Sequence, residues 1–593
     1  MSKIDARWHY VALVFVVFAA GFWPYRDILG NYPEGADALK WVTNAAPSSD
    51  GWFEWVVAKR HFIGYRPVTA ASFTVNNVIS GWSPYGYRLT NAALHLAAGI
   101  GVYGLFRVLT RGKGWWAVLA AAIFFTHPAG ETVLPHMARR SYLLGSLFSV
   151  ATLIAWTVAT RDRKHIFSGS MVAAGLCLGA ALLSNEVAYV VVPMLPIFAF
   201  VFRDRKKAWY DPVVRTAPLI GIAICAIELR FAVLGHFGGY RKRYFAFTRN
   251  NHNMLREVDD TPYQMVIEAA WRYMCFPTAA SGDQALLLLG GSAGLIVAIA
   301  VVVYYAWRSI AEPMLPNKEP EQRLVLMMFI WLAGHTLLYA LSRNWFWRQS
   351  YPMLAPFALL VAMVARDTWI RRDTAVKRLL HFIPQGVLAA SILYHAPVIS
   401  GVDQDALRGQ IKASKIVREV KANLSKEEFG PSSLVYIALP VRGPAIRDAI
   451  TWIRREYKPR GILIRWLAIL RPNSKEKAGR PLLDLKDVDG RMLIELRPHM
   501  DFDGKLQKSL RLQGKTVLWM DRLNIPEAEQ SYVYYTKGVQ YHLVEVPTEM
   551  GSGAEPVLQP KKRSKRKKKK RNREDAQPKK KGEGPDDPGD QEH

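Results

Sequence analysis

Three cysteines in 593 residues leave no material for a disulfide framework or a cysteine-built metal cluster. Cys177 and Cys225 sit inside apolar runs and Cys275 lies near the boundary of one, the habit of buried thiols. Acidic residues are also scarce, with 49 Asp and Glu against 78 Lys and Arg, which leaves a formal charge of +29. Walker loops, dinucleotide fingerprints and HExxH patterns are all missing, so ATP-driven transport has no support. His127 and His136 have no convergent His or Asp spacing around them and are expected to make hydrogen bonds at helix ends. No cofactor is implied, and a divalent metal has no ligand pattern behind it.

What is plentiful is apolar sequence: half of the residues are hydrophobic, an unusual partner for so much charge. They gather in runs at 8–25, 86–106, 114–128, 142–160, 166–184, 187–202, 212–234, 284–306, 324–342, 351–365 and 379–400. Several approach the roughly 20 residues that cross a bilayer as a helix. We therefore expect about eleven spans, the first a retained anchor rather than a signal peptide, because no small-residue cleavage site follows it. Short basic loops, such as Arg107/Arg111/Lys113 and Arg203/Arg205/Lys206/Lys207, alternate along the chain and mark the cytoplasmic side. The external segments are then 26–85, 129–141, 235–283 and 343–350, with everything beyond about residue 400. A non-spanning eleventh run, which contains His381 and Pro384, would instead move the C-terminal part to the cytoplasm.

Beyond the last run the composition becomes that of a soluble domain. An amphipathic linker helix is expected over 401–429, then short β-branched and aromatic runs such as SLVYIAL and SYVYYTKGVQYHLVEV, broken by turn residues. These predict a small α/β or β-rich domain over 430–548. Residues 549–593 form a basic and then acidic tail that cannot bury a core and is expected to be disordered. Its stretch 561–581 holds 14 Lys and Arg against Glu574 and Asp575. On a membrane protein such a run suits anionic lipid headgroups or an anionic envelope polymer better than nucleic acid.

Chemistry is expected in the external loops, where charge beside the hydrocarbon is costly unless it meets a ligand, a pair or a water-filled cavity. The first loop carries Asp27, Asp37 and Arg66; the second carries Glu131, Arg139 and Arg140. Glu186 lies in a turn at the membrane edge, Tyr240 with Arg241 and Arg243 in a later loop, and Arg348 with Tyr351 at the start of a span. Arginines grip a phosphate through paired N–H donors, and a carboxylate serves as base toward a hydroxyl. Loop composition alone leaves each of these residues equally suited to pairing within the protein.

The segments IGYRPVTAASF, YRLTNAALH, FFTHPAGETVLPHMARRSY, LLSNE, LRFAVLGHFGGY and RQSYPMLAPF follow one another in this order, and the resemblance they carry extends over roughly residues 8–400. Together they resemble polytopic GT-C glycosyltransferases, especially TMTC-type protein O-mannosyltransferases and their bacterial relatives. That resemblance implies a mainly α, GT-C-like membrane domain over 1–400 and inverting transfer of a sugar from a polyprenyl-phosphate donor on the external, periplasmic face. It implies a first-loop Asp as general base, Asp37 ahead of its rival Asp27. It also implies Arg348 as the holder of the donor phosphate with Arg139 or Arg140 assisting, while Arg66, Glu131, Glu186, Tyr240 and Tyr351 contact donor or acceptor. The acceptor would be glycan, lipid or protein, and the location a bacterial inner membrane with the C-terminal domain periplasmic. The turn SNE departs from the group's S-K-E, placing Asn185 where a lysine is usual, and no tetratricopeptide repeats follow. A polysaccharide polymerase or ligase, a lipid-linked sugar flippase or transporter, and a membrane scaffold remain open alternatives.

Overall fold

The computed structural model describes residues 5–32, 36–47, 51–58, 64–111, 114–162, 168–201, 210–235, 321–341, 347–370 and 404–426, helices and strands between 433 and 546, and scattered single positions. Of the expected spans, most of 284–306 and all of 379–400 lie outside the described residues, as does the tail beyond 546.

The chain enters as α1 (Asp5–Val16), which widens into a π turn (Val17–Phe22) and tightens into a 3-10 segment (Trp23–Ile28). Gly21 permits the π turn to press on its neighbour: a Cβ there would lie 2.7 Å from Leu96 Cδ2. The first loop then folds as α2 (Ala36–Ala45), α3 (Trp52–Val57) and α4 (Pro67–Ser80). Next come α5 (Pro84–Thr110), α6 (Gly114–Thr126), α7 (Arg140–Asp162), α8 (Gly169–Leu182), α9 (Val191–Val201), α10 (Asp211–Leu234), α11 (Glu321–Leu341) and α12 (Leu354–Ile370).

Among the described residues, five helical stretches are long and apolar enough to cross a membrane: Trp8–Ile28, Pro84–Thr110, Met137–Arg161, Val213–Leu234 and Arg323–Ala340. The 27-residue α5 reaches about 40 Å at 1.5 Å per residue, beyond the roughly 30 Å of hydrocarbon. Gly114–Thr126 and Gly169–Leu182 are apolar but shorter than the runs that suggested them, and Glu186–Val201, though as long as its run, joins a 3-10 turn to α9. Apolar residues outnumber helical ones there because the chain turns at His127-Pro128 and at Ser184-Asn185 before the helix is long.

The helices share one core that includes Phe106, Phe124, Trp156 and Trp331. Trp156, fully buried, donates from Nε1 to the Leu195 carbonyl at 2.9 Å, which satisfies its only side-chain polar atom and fixes α7 against α9. Val172, Leu176, Ile224 and Leu229 stand exposed on α8 and α10, as residues facing lipid do. On α4, Val75, Val78 and Ile79 are exposed while Ala70 and Phe73 are buried, the two-faced pattern of a helix lying in a membrane interface.

The C-terminal part begins with α13 (Gln404–Leu424), followed by β1 (Ser433–Leu439), α14 (Pro444–Tyr457) and β2 (Leu463–Ile469). β1 and β2 run parallel, so α14 is the crossover between them. A four-stranded antiparallel sheet is built from β3 (Leu483–Val488), β4 (Arg491–Leu496), β7 (Lys515–Trp519) and β6 (Ser509–Leu512), in that order. The remaining strands, β5 (Phe502–Asp503), β8 (Gln530–Lys537) and β9 (Gln540–Val546), join β1 and β2 in the sheet order β5-β2-β1-β8-β9.

A second core joins α13, α14, β1 and β2 to the first loop, with Val417, Ile450 and Trp452 packing among Trp41, Val42, Phe73 and Tyr87. Trp452 meets Trp82 and Tyr87 edge-on at 5.6 and 6.0 Å between ring centroids, and its Nε1 donates to the Trp82 carbonyl at 2.8 Å. The Tyr32 amide donates to Ser414 Oγ on α13 at 2.8 Å. Truncating a buried tryptophan costs about 3–5 kcal/mol. Trp452→Ala is therefore expected to free α13 and α14 from the first loop, read as a lower thermal midpoint and faster proteolysis near residue 404.

Candidate active site

Two buried arginines tie the loops together. Arg88, in the first turn and a half of α5, donates to the carbonyls of Asn31 at 2.7 Å, Tyr32 at 3.2 Å and Pro135 at 2.5 Å. It joins the loop before α5 to the loop between α6 and α7. Arg140 opens α7 with its guanidinium 4.1 Å from the Phe73 ring centre and donates to Asn91 Oδ1 at 2.8 Å, the Ser72 carbonyl at 3.1 Å and the Tyr87 carbonyl at 2.9 Å. Arg140, expected to assist with the donor, is 0% exposed, and its hydrogen bonds tie α4, α5 and α7 together. Tyr351 is equally enclosed: its hydroxyl meets His95 Nδ1 at 2.9 Å, which links the segment leading into α12 to α5.

Arg139 differs from its neighbour by one residue and by its surroundings. It closes a 3-10 turn (Met137–Arg139), is half-buried, and donates to the Thr132 carbonyl of the same loop. His136 beside it is pushed down to about 3, first because it is buried and then because Arg139, Arg88 and Arg348 all lie within electrostatic reach. Arg348, half-buried in the 3-10 turn Trp347–Met353, thus acts electrostatically on the same imidazole as Arg139, from a turn packed on Pro128–Gly130 and α7. The second loop and a distant span start together supply a cationic group suited to an oxyanion.

A second charged group forms on Glu186. Arg66, the N-cap of α4, places Nη2 2.8 Å and Nε 3.1 Å from Glu186 Oε2, while Arg230 of α10 pairs with Oε1. Asn185 accepts from the Val187 amide at 3.2 Å and donates to Ser141 Oγ at 3.0 Å, so the residue that replaces the usual lysine caps the turn. The first loop closes over this group through a tight turn in which His61 and Gly64 exchange backbone hydrogen bonds of 2.8 and 3.0 Å. His61 Nδ1 accepts from the Arg66 amide at 2.9 Å, and its ring stacks on Trp41 of α2 at 5.5 Å.

The two candidate bases are both exposed but differently held. Asp37 lies in the first turn of α2, one turn before Trp41, on a helix packed against the Met137–Arg139 turn. Asp27 is 72% exposed and lies 3.4 Å from Arg26. Glu131 is half-buried at the end of the Pro128–Gly130 turn. His127 caps that turn, as expected of a helix-end histidine: Nδ1 accepts from the Ala129 amide at 3.1 Å, and Nε2 lies 3.0 Å from the Met274 carbonyl. Tyr240, Arg241 and Arg243 lie outside the described residues. Sequence reasoning missed Arg88, Ser141 and Arg230; the signal for Arg88 and Arg230 was a charge inside an otherwise apolar helix.

Apolar helices around a common core, with arginines and acids collected at one end, define a multi-pass membrane protein. Its relatives narrow that class. Human Protein O-mannosyl-transferase TMTC2 is 29% identical over 161 residues, 27% of this chain and 19% of that protein. Drosophila melanogaster Protein O-mannosyl-transferase Tmtc1 is 31% identical over 153 residues, 25% of this chain and 17% of its own. Mouse Protein O-mannosyl-transferase TMTC3 is 23% identical over 202 residues, covering 33% and 22%. The chain spans about a fifth of the length of these curated relatives. No protein-family model matches it. Among solved structures, ArnT from Cupriavidus metallidurans bound to undecaprenyl phosphate is similar with a TM-score of 0.39 at 13% identity, over 80% of this chain and 94% of that one.

Burial holds His61 down at about 4, against an ordinary 6.5, with Arg66 adding to the effect. The unfolded loop therefore takes up its proton first as the medium is acidified. Stability contributed by this loop is complete above pH 6.5 and declines from there toward pH 4. Thermal midpoints measured across that window should fall with pH in the parent protein, and His61→Gln should flatten the slope.

Proposed function

We propose that the chain is a GT-C-type membrane glycosyltransferase that moves a sugar from a polyprenyl-phosphate-linked donor to an acceptor hydroxyl at the external face, with inversion. The observation that carries this reading is the packing of the Trp347–Met353 turn, which bears Arg348, on the Pro128–Gly130 turn and α7, with the Met137–Arg139 turn against the helix that bears Asp37. Arg348 and Arg139 hold the donor phosphate, and the fork of a guanidinium suits two of its oxygens. The neutral His136 can also donate a hydrogen bond there. Asp37 takes the proton of the acceptor hydroxyl as that oxygen attacks the sugar carbon from the face opposite the departing phosphate. The phosphate leaves as an anion whose charge the arginines already meet, so little reorganisation accompanies bond breaking.

Asp37 is favoured over Asp27 because α2 is fixed on several sides. Trp41 is buried against Phe73 and His61, while α14 packs on the same helix. Packing of α13 and α14 on the first loop also supports the C-terminal domain, 430–548, lying on the side of that loop, periplasmic in a bacterial inner membrane. Eleven spans, a linker at 401–429, a membrane domain over 1–400 and a tail at 549–593 complete the proposed organisation. The basic part of the tail would touch lipid headgroups or an anionic envelope polymer. The acceptor is glycan, lipid or protein.

Sugar transfer from a polyprenyl-phosphate donor in membranes tests the assignment. Asp37→Asn is expected to lower turnover by a factor on the order of 10² to 10⁴, the usual contribution of a positioned base, while Asp27→Asn stays within a few-fold. Equal activity of both variants and the parent would reject a carboxylate base in this loop. A topology reporter fused at about residue 425 should report from the external side; a cytoplasmic signal would remove the C-terminal domain from this site.

A further inference from the structure

The group on Glu186 carries more positive than negative charge. One carboxylate faces two guanidiniums: Oε2 receives Nη2 and Nε of Arg66, and Oε1 receives Nη2 of Arg230. The Arg230 side chain is 3% exposed, yet its Nε and Nη1 are buried with no acceptor among the described residues. A buried guanidinium with two idle donors is costly, and a residual positive charge beside it raises that cost.

The surroundings add to the imbalance. Arg66 caps the 14-residue α4 and Ser141 lies in the first turn of the 23-residue α7, so two positive helix ends face the group. Ser141 Oγ lies 3.4 Å from Arg66 Nη1, and the Tyr189 hydroxyl is within hydrogen-bonding as well as electrostatic reach of the Arg230 guanidinium. Backbone comes close here because Gly64 has no side chain: a Cβ would collide with Glu186 Oε1 and lie 3.2 Å from Arg66 Nε and 3.5 Å from Arg230 Nη2. Arg66 and Glu186 keep part of their side chains open to solvent, which leaves an approach from outside. Arg230 stands one turn from the C-terminal end of α10, at the level of the external loops rather than deep in the span.

This group is built from other side chains than the one proposed for the donor: Arg66 and Arg230 meet on Glu186. We propose that Arg66, Glu186 and Arg230 form a second oxyanion site, in which a phosphate oxygen accepts from the Nη1 of Arg230. The Nε–H and Nη1–H bonds leave opposite edges of the guanidinium plane, so a single anion meets one of them. The bound phosphate balances the extra charge and gives that donor an acceptor. Its source is free phosphate or the headgroup of a phosphorylated lipid, and the inference holds whether or not the chain transfers a sugar.

Thermal unfolding of the full chain in detergent separates these cases. Inorganic phosphate is compared with sodium chloride at equal ionic strength, and undecaprenyl phosphate with undecaprenol. Ligands that bind the native state raise its midpoint by mass action. A rise of about several degrees with phosphate or with undecaprenyl phosphate is expected in the parent and in Arg348→Gln, and its loss in Arg230→Gln. Arg230→Lys keeps the charge without the fork and should need at least about tenfold more ligand; it carries the test should the Gln variant not fold. Response to the phospholipid alone assigns the site to a headgroup, and response to both assigns it to phosphate in general. The proposal is overturned by a parent that responds to neither, by an undiminished response in both Arg230 variants, or by a response lost only in Arg348→Gln.

Discussion

The packing of the loops against each other depends on two guanidiniums buried without a carboxylate. Arg88 and Arg140 are met by five backbone carbonyls and one amide oxygen, each side-chain nitrogen given a fixed partner. A buried charge loses several kcal/mol of hydration, so this arrangement persists only while all of its acceptors stay in place. The acceptors belong to Asn31, Tyr32, Ser72, Tyr87, Asn91 and Pro135, which span both loops and two helices. Such a charge acts as a geometric demand: move one loop, and an orphaned donor results. That demand fixes the loops closely enough to hold Arg139 and His136 at one place.

The C-terminal part enters the same network from the other side. Ser414 receives the amide of Tyr32, whose carbonyl already serves Arg88, and Trp452 packs on Tyr87, whose carbonyl serves Arg140. A hydrophobic core thus supports two polar ties at their acceptor ends. Both cationic groups rest on elements that the side chains at 414 and 452 hold.

Much of the architecture was legible because apolar runs and their basic flanks record where a helix crosses a bilayer. Run length overstated helix length wherever the chain turns inside apolar surroundings, as at Ser184-Asn185, since a 3-10 turn and a helix draw on the same residues. The pair Arg139, Arg140 shows why the site was less legible. The two residues are chemically identical in sequence, but successive helical positions differ by about 100° of rotation, so one faces the packed interior and the other the loop. α13 was legible as an amphipathic helix within 401–429; what its buried face would meet was not, because Tyr32, whose amide Ser414 receives, lies 382 residues away. In sequence Asn185 is only a departure from a pattern, and its hydrogen bonds to Val187 and Ser141 give it a role that its position alone does not reveal.

Two cationic groups at one end of a helical bundle raise the question of why the chain tolerates both. Repulsion between them is limited when each is enclosed separately, and the short-range terms differ. His136 is uncharged where it is buried, which removes one positive charge from the Arg139 and Arg348 group. Glu186 removes another from the Arg66 and Arg230 group. Neutral imidazole and ionised carboxylate are two solutions to one problem: each limits the repulsion among the arginines near it. A carboxylate does so by attraction and leaves a net charge of one; an imidazole does so by yielding its proton and leaves two. The first arrangement can stand closed while empty, whereas the second needs an anion to offset its charge more fully, and that difference suits one group to a standing site and the other to a group that arrives and departs.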